Sequence, residues 1–211
     1  LAAELEGHGW FLSSANSINW GRLLPQIAYY FSAYCDFVNA GLIAPGETMN
    51  FCVPTGNFGN ILAGWMARRM GLPVERFICA SNENNVLTDF INTGVYDRRR
   101  EFHLTNSPSM DILVSSNLER LLYFLTGDCG QVSAWMRGLS EEGRYDVSEE
   151  VLARLRSEFS AGFCTGDGAC AEIARVWAGH GYLIDTHTAV ASAVLSAYRV
   201  GTGDETPTAI V

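Results

Sequence analysis

The chain has 211 residues, of which 48% are hydrophobic and 18% charged, a balance that suits one large domain or two small ones around a sizeable core. Its net charge of −9 argues against nucleic acid as the main partner, which would call for a basic stripe. No apolar run approaches the roughly 20 residues that span a bilayer, so no membrane partner is expected.

In chain order, Leu23, Leu24, Ile27, Tyr30, Phe31, Tyr34 and Cys35 fall at helical spacing and predict an amphipathic helix over 19–38, ended by Gly41 and Pro45-Gly46. Residues 49–54 read as a buried strand. Ile61, Leu62, Trp65, Met66 and Met70 mark one face of a following helix, which Gly71-Leu72-Pro73 stops. Arg76-Phe77-Ile78-Cys79-Ala80 reads as a second strand, and strand, helix, strand at this spacing implies a βαβ unit in a parallel sheet. A short helix is predicted over 86–92, then a turn-rich stretch at Thr105-Asn106-Ser107-Pro108-Ser109. Ser116-Asn117-Leu118-Glu119 fits a capping box ahead of a helix carrying Leu118, Leu121, Leu122 and Leu125.

Residues 127–145 are polar and contain glycine. They read as a surface excursion which, with an amphipathic helix over 148–159, makes 127–160 a helical and loop insertion in one region spanning 1–211. Further helices are predicted over 171–177 and 188–199, with a short strand at Gly181-Tyr182-Leu183-Ile184-Asp185 between them. The expected class is α/β, a parallel sheet flanked by helices. The first residue is leucine, and Thr208-Ala209-Ile210-Val211 reads as an apolar strand at the chain terminus. The expectation is a piece of a longer chain.

Six cysteines are scattered without a CxxC pair and read as buried, reduced thiols of a cytoplasmic protein. Four histidines are scattered without HExxH, so no metal site is expected.

The segment with the most chemical content is Pro54-Thr55-Gly56-Asn57-Phe58-Gly59-Asn60. A strand, a glycine-containing turn and a helix N-terminus can make an anion cup, because small residues let backbone N–H groups approach a phosphate and the helix dipole favours negative charge there. GK[ST] is absent, and only Gly56 and Gly59 are present, so neither a Walker A loop nor a dinucleotide fingerprint fits. A single phosphate monoester fits better; a generic βα turn remains the alternative.

Ser13-Ser14-Ala15-Asn16-Ser17-Ile18-Asn19-Trp20-Gly21-Arg22 gathers small polar side chains ahead of a helix, with Arg22 adding a fixed charge suited to a carboxylate or phosphate. An N-cap followed by a surface arginine explains the same residues. Asp185-Thr186-His187-Thr188 could place a proton-handling histidine at a helix start, or a plain cap. Asn82-Glu83-Asn84-Asn85 could wall a cleft or make a turn, and Arg98-Arg99-Arg100 reads as a solvated face. All 14 basic residues are arginine, so an aldehyde cofactor held in the cup would find no Schiff-base lysine in these residues.

Taken together, the segments resemble the threonine synthase family, pyridoxal-phosphate enzymes of the tryptophan-synthase-β-like fold (fold type II). The resemblance is carried by Asn16-Ser17-Ile18-Asn19 with Gly21-Arg22-Leu23-Leu24-Pro25-Gln26, Tyr29-Tyr30-Phe31, the 54–60 loop and Ala80-Ser81-Asn82-Glu83-Asn84-Asn85. It continues through Ser107-Pro108-Ser109-Met110-Asp111-Ile112, Ser115-Ser116-Asn117-Leu118-Glu119-Arg120, and Asp185 with His187-Thr188-Ala189-Val190. These come in the family's order over nearly the whole chain.

The resemblance implies a carbon–oxygen lyase that converts O-phospho-L-homoserine and water to L-threonine and phosphate through an external aldimine with pyridoxal 5′-phosphate. It implies that Thr55, Gly56, Asn57, Phe58, Gly59 and Asn60 hold the cofactor phosphate, that Ser17, Asn19 and Arg22 contact the substrate, and that Asp185 and His187 line the site. The family's lysine, in a Phe-Lys-Asp setting, and the Ser/Thr-containing stretch that meets the pyridine nitrogen have no counterpart here, and Thr186 stands where the family usually has proline. No residue is therefore assigned as catalytic, and this chain alone is expected to be inactive. Two alternatives remain: a non-catalytic phosphate- or pyridoxal-phosphate-binding relative without the lysine, and another fold-type-II enzyme such as a dehydratase. The Gly-Asn-Phe-Gly-Asn wording of the loop and the 16–26 segment argue against the dehydratase.

Overall fold

A computed structural model describes residues 2–12 and 16–211. At its centre is a four-stranded parallel sheet. β1 (Met49–Pro54) and β2 (Val74–Ser81) lie side by side, β5 (Phe159–Phe163) flanks β2, and β6 (Thr208–Ile210) flanks β1. β1 is paired on both sides along much of its length and is buried on both faces, which is why its sequence is a continuous apolar run rather than an alternation.

Alternate residues on β1 and β2 enter two different cores, as the two-residue repeat of a strand requires. Phe51, Val53, Phe77 and Cys79 face the helices α2 (Trp20–Asn39) and α3 (Gly59–Arg69), where they meet Leu23, Tyr30, Ile61 and Leu62. Cys52, Ile78 and Ala80 face the opposite side, covered by Ala169 of α8 (Gly166–His180) and by Ala189, Val190 and Val194 of α9 (Thr186–Thr202). A chain of rings crosses the first core: Tyr30 meets Phe51 edge-on with centroids 4.8 Å apart, Phe51 stacks on Phe77 at 6.3 Å, Phe77 meets Phe159 at 5.6 Å, and Phe159 meets Phe58 at 5.9 Å. The last of these rings belongs to the 54–60 loop, so the aromatic core ends at the candidate site.

The remaining elements are a short α1 (Ala2–Glu6), α4 (Val86–Thr93), β3 (Val95–Asp97), α5 (Leu118–Thr126), α6 (Cys129–Glu141), β4 (Arg144–Asp146) and α7 (Glu149–Glu158), with a single 3-10 turn at Pro108–Met110. Several segments differ from the sequence expectation. Residues 127–145 form α6 and β4. α6 is capped by the Asp128 side chain, which accepts from the backbone N–H groups of Gly130 and Gln131. Val132, Trp135, Met136 and Leu139 give it a helical apolar stripe, and Tyr145 of β4 stacks on Tyr96 of β3. The strand expected at 181–185 does not form, because Gly181 (φ 65°) ends α8 in the left-handed region and Asp185 already caps α9. Phe159, read as a helix end, instead opens β5 and pairs with Phe77. The N-cap of α5 is Asn117, whose side chain does not cap; it is used elsewhere. Only Cys52, Cys79 and Cys164 are buried; Cys35, Cys129 and Cys170 are exposed.

Candidate anion-binding site at the strand ends

β1 ends at Pro54, and the chain turns into α3 at the C-terminal edge of the sheet, where ligands of open α/β sheets bind. The turn is held by its carbonyls. The Gly56 carbonyl accepts from the Ser115 hydroxyl at 2.8 Å. The Asn57 carbonyl accepts from the Asn117 backbone N–H at 3.1 Å and from the Asn117 side-chain amide at 2.9 Å. The Asn60 carbonyl and side-chain Oδ1 each accept from the Tyr30 hydroxyl at 2.9 Å. Thr55 is buried, donating its N–H to the Ala80 carbonyl and its hydroxyl to the Val53 carbonyl.

The N–H groups of Gly56, Asn57, Phe58, Gly59 and Asn60 have no acceptor among the described residues. Phe58 sits at φ 61°, the one non-glycine residue with positive φ among those described, and α3 starts behind it without a side-chain cap. A left-handed residue ahead of a helix turns successive N–H groups to one side, which makes a concave anion site. The buried Phe58 ring, packed on Phe159, holds that conformation in place of a glycine. Gly56 is required for a different reason: a Cβ there would stand 2.8 Å from the Ser109 carbonyl oxygen. The loop thus presents free N–H groups, a helix N-terminus and a wall that fits no side chain, all of which suit one phosphate group.

The 16–22 segment reaches this loop through Ser17. Its carbonyl accepts from the Asn117 amide at 3.3 Å and would lie 3.8 Å from a Cβ on Gly59. Asn19 is the N-cap of α2, its Oδ1 accepting from the Gly21 N–H at 2.9 Å, and Arg22 lies on the exposed first turn of that helix. The N-cap reading of Asn19 therefore holds in this structure. Ser13, Ser14 and Ala15 lie outside the described residues.

His187 joins the site from the other core. Its Nε2 accepts the Ser109 N–H at 3.3 Å, and its Nδ1 lies 3.3 Å from an Asp185 oxygen. Asp185 caps α9 by accepting from the His187 and Thr188 N–H groups and the Thr188 hydroxyl. The Thr188 hydroxyl, against some burial and helped by those N–H groups, holds the Asp185 carboxyl below its ordinary value. Thr186 is the first helical residue, a position proline also suits, so the turn survives either residue. Ser109 therefore stands between His187 on one side and Gly56 on the other.

Two groups organise this edge, one built on the 82–85 stretch that could wall a cleft or make a turn, the other on the 115–120 stretch. One is a buried polar cluster: Asn82 donates to Thr105, Ser107 and Asp111, and Asn84 donates to the His103 carbonyl and to Asp111. Burial pushes the Asp111 carboxyl up, but hydrogen bonds from Thr105, Asn82 and Asn84 outweigh it and hold the carboxyl below its ordinary value. The signal was a run of short polar residues directly after a buried strand. The other is Asn117 with Arg120, hidden inside what read as a capping box. Among the described residues no group of His, Cys, Asp and Glu could hold a metal ion, and no helix is long and apolar enough to cross a membrane. Two hollows of about 470 and 460 Å³ lie away from the loop along α2, α3, α5 and α6, and share Trp20 and Phe124.

No family model matches the chain. Among curated proteins it is 48% identical over 189 residues to threonine synthase-like 1 of Homo sapiens, covering 89% of this chain and 25% of that protein. It is 42% identical over 183 residues to threonine synthase of Pseudomonas aeruginosa, covering 86% of this chain and 38% of the relative. Among solved structures, pyridoxal-phosphate-bound threonine synthase from Brucella melitensis superposes with a TM-score of 0.85 at 44% identity, covering 94% of this chain and 41% of that one. The chain thus spans between about a quarter and two fifths of the length of these relatives.

Proposed function

Because the chain belongs to the threonine synthase family and has the α/β fold of its pyridoxal-phosphate enzymes, we propose that it is the cofactor-phosphate-binding part of a protein that converts O-phospho-L-homoserine and water to L-threonine and phosphate, a carbon–oxygen lyase reaction. The observation that carries this is the 55–60 loop, where the carbonyls of Gly56, Asn57 and Asn60 are tied back and the N–H groups of residues 56–60 have no acceptor among the described residues. Bound there, pyridoxal 5′-phosphate supplies an electron sink for proton loss from the amino acid.

The chain's own residues bind and orient. The N–H groups of Gly56 to Asn60 take the phosphate, and Gly56 keeps the wall at Ser109 flat. Ser17, Asn19 and Arg22 lie on the segment that meets this loop, and Arg22 supplies the fixed positive charge that suits the substrate's phosphate. His187 and Asp185 close the far side by fixing Ser109. Arginine guanidinium stays protonated, so none of the 14 basic residues here can condense with an aldehyde or accept a proton.

The test is to supply the chain with pyridoxal 5′-phosphate and O-phospho-L-homoserine, and to repeat the assay with a longer protein carrying a lysine in the Phe-Lys-Asp setting. The expected result is binding without phosphate release by this chain and release by the longer one. Release by neither contradicts the lyase reading. A second reading has its own support: the human relative at 48% identity is named threonine synthase-like 1, and no lysine is present here. A non-catalytic phosphate-binding relative would bind the cofactor, and its longer form would release nothing.

A further inference from the structure

Asn117 is fully buried, and every polar atom of its side chain is engaged. Its amide nitrogen donates to the Asn57 carbonyl at 2.9 Å and to the Ser17 carbonyl at 3.3 Å. Its Oδ1 accepts from Arg120 Nη1 at 2.6 Å, and Arg120 Nη2 donates to the Ile18 carbonyl, also at 2.6 Å. The Arg120 guanidinium lies 5.6 Å from the Trp20 ring centroid, against the first residue of α2. A Cβ on Gly59 would stand 3.3 Å from the Asn117 amide, so the bare glycine admits this close approach.

One amide thus bridges the loop that would hold a phosphate and the segment that carries Ser17, Asn19 and Arg22. A ligand that fixes one end of a rigid bridge fixes the other, and the coupling is reciprocal. We propose that Asn117 and Arg120 are positioning residues that couple occupancy of the 55–60 loop to ordering of residues 16–22, so that the substrate segment is set only when the loop is filled. This rests on reading 55–60 as a phosphate site. An arrangement that served stability alone would need no side chain joining these two segments in particular.

The test is amide hydrogen exchange on the chain with and without inorganic phosphate, read separately over residues 16–24 and 55–62. The proposal expects phosphate to slow exchange in both, by about fivefold or more over 16–24, the lower end of typical coupling between sites. Asn117→Asp keeps the shape and the Arg120 partner but turns the amide donor into an acceptor facing two carbonyls. That amide also ties back the Asn57 carbonyl, so this variant is read for the link alone: whatever slowing phosphate still gives over 55–62 should not reach 16–24. Arg120→Gln leaves the amide on the Asn57 carbonyl, so phosphate should still slow 55–62 and leave 16–24 unchanged, and this variant decides the matter if Asn117→Asp does not fold or does not bind. Slowing confined to 55–62 in the unsubstituted chain, or slowing of 16–24 that persists in both variants, overturns the coupling. Slowing of neither segment removes the phosphate reading of the loop, and the coupling with it.

Discussion

A Cβ on Gly64 would stand 2.4 Å from the ring of Tyr30 and 2.8 Å from the ring of Phe77. α2 and α3 approach this closely because Gly64 has no side chain, and Tyr30 packs over it and carries its hydroxyl to Asn60, at the base of the loop. Burial pushes the Tyr30 phenol far up, so it remains a donor at any ordinary pH. Gly64→Ala should destabilise the chain by about 1–3 kcal/mol through overpacking against two rings that cannot both move aside. Tyr30→Phe should cost about 1 kcal/mol, the worth of an ordinary hydrogen bond. Urea unfolding followed by far-UV circular dichroism checks both, and an unchanged midpoint for Gly64→Ala would contradict the packing described.

The Asp111 cluster makes stability depend on acid. Its folded carboxyl lies below the usual range, so its contribution is fully present above the unfolded value near 3.9 and is lost as pH falls through the folded value. Asp204, where burial is outweighed by bonds from Thr206, Tyr198 and Asn50, shifts the same way. Stability should therefore decline below about pH 4. Asp111→Asn places a donor among the donors of Asn82, Asn84 and Thr105 and should cost about 1–3 kcal/mol at neutral pH. It should also flatten the acid limb. Thermal melts from pH 3 to 7 on both proteins decide this; parallel curves would remove Asp111 from the account.

At the far side of the loop, His187 accepts the Ser109 N–H. His187→Leu takes that acceptor away and leaves the Ser109 segment to shift against Gly56. The expected result is weaker phosphate binding, by about tenfold, the worth of one hydrogen bond at 1.4 kcal/mol, with little change in melting temperature. Isothermal titration with inorganic phosphate reads it, and an unaltered dissociation constant would confine His187 to a local role.

Much of this was legible in the chain. Leu23 to Cys35 carry helical spacing, and Phe51 and Val53 sit in an apolar run that only a doubly covered strand tolerates. The loop was readable from Gly56 and Gly59, because turn and helix start are local matters. What escaped was set by partners far off in sequence. Phe159 becomes a strand residue because Phe77 offers an edge, 82 residues earlier in the chain. α6 escaped because glycine and serine dilute its stripe of Val132, Trp135, Met136 and Leu139. Asn117 was hidden inside the Ser116–Glu119 capping box, a local pattern, while its partners Ser17 and Asn57 lie far off in sequence.

The central claim is that the N–H groups of residues 56–60 hold a phosphate. The measurement that tests it most directly is titration of the chain with pyridoxal 5′-phosphate in competition with inorganic phosphate, alongside Gly56→Ala, whose added methyl meets the Ser109 carbonyl at 2.8 Å. Saturable binding that phosphate displaces and that Gly56→Ala weakens by tenfold or more, a loss of about 1.4 kcal/mol, is the predicted result. Binding that phosphate does not displace, or that Gly56→Ala leaves intact, would contradict it.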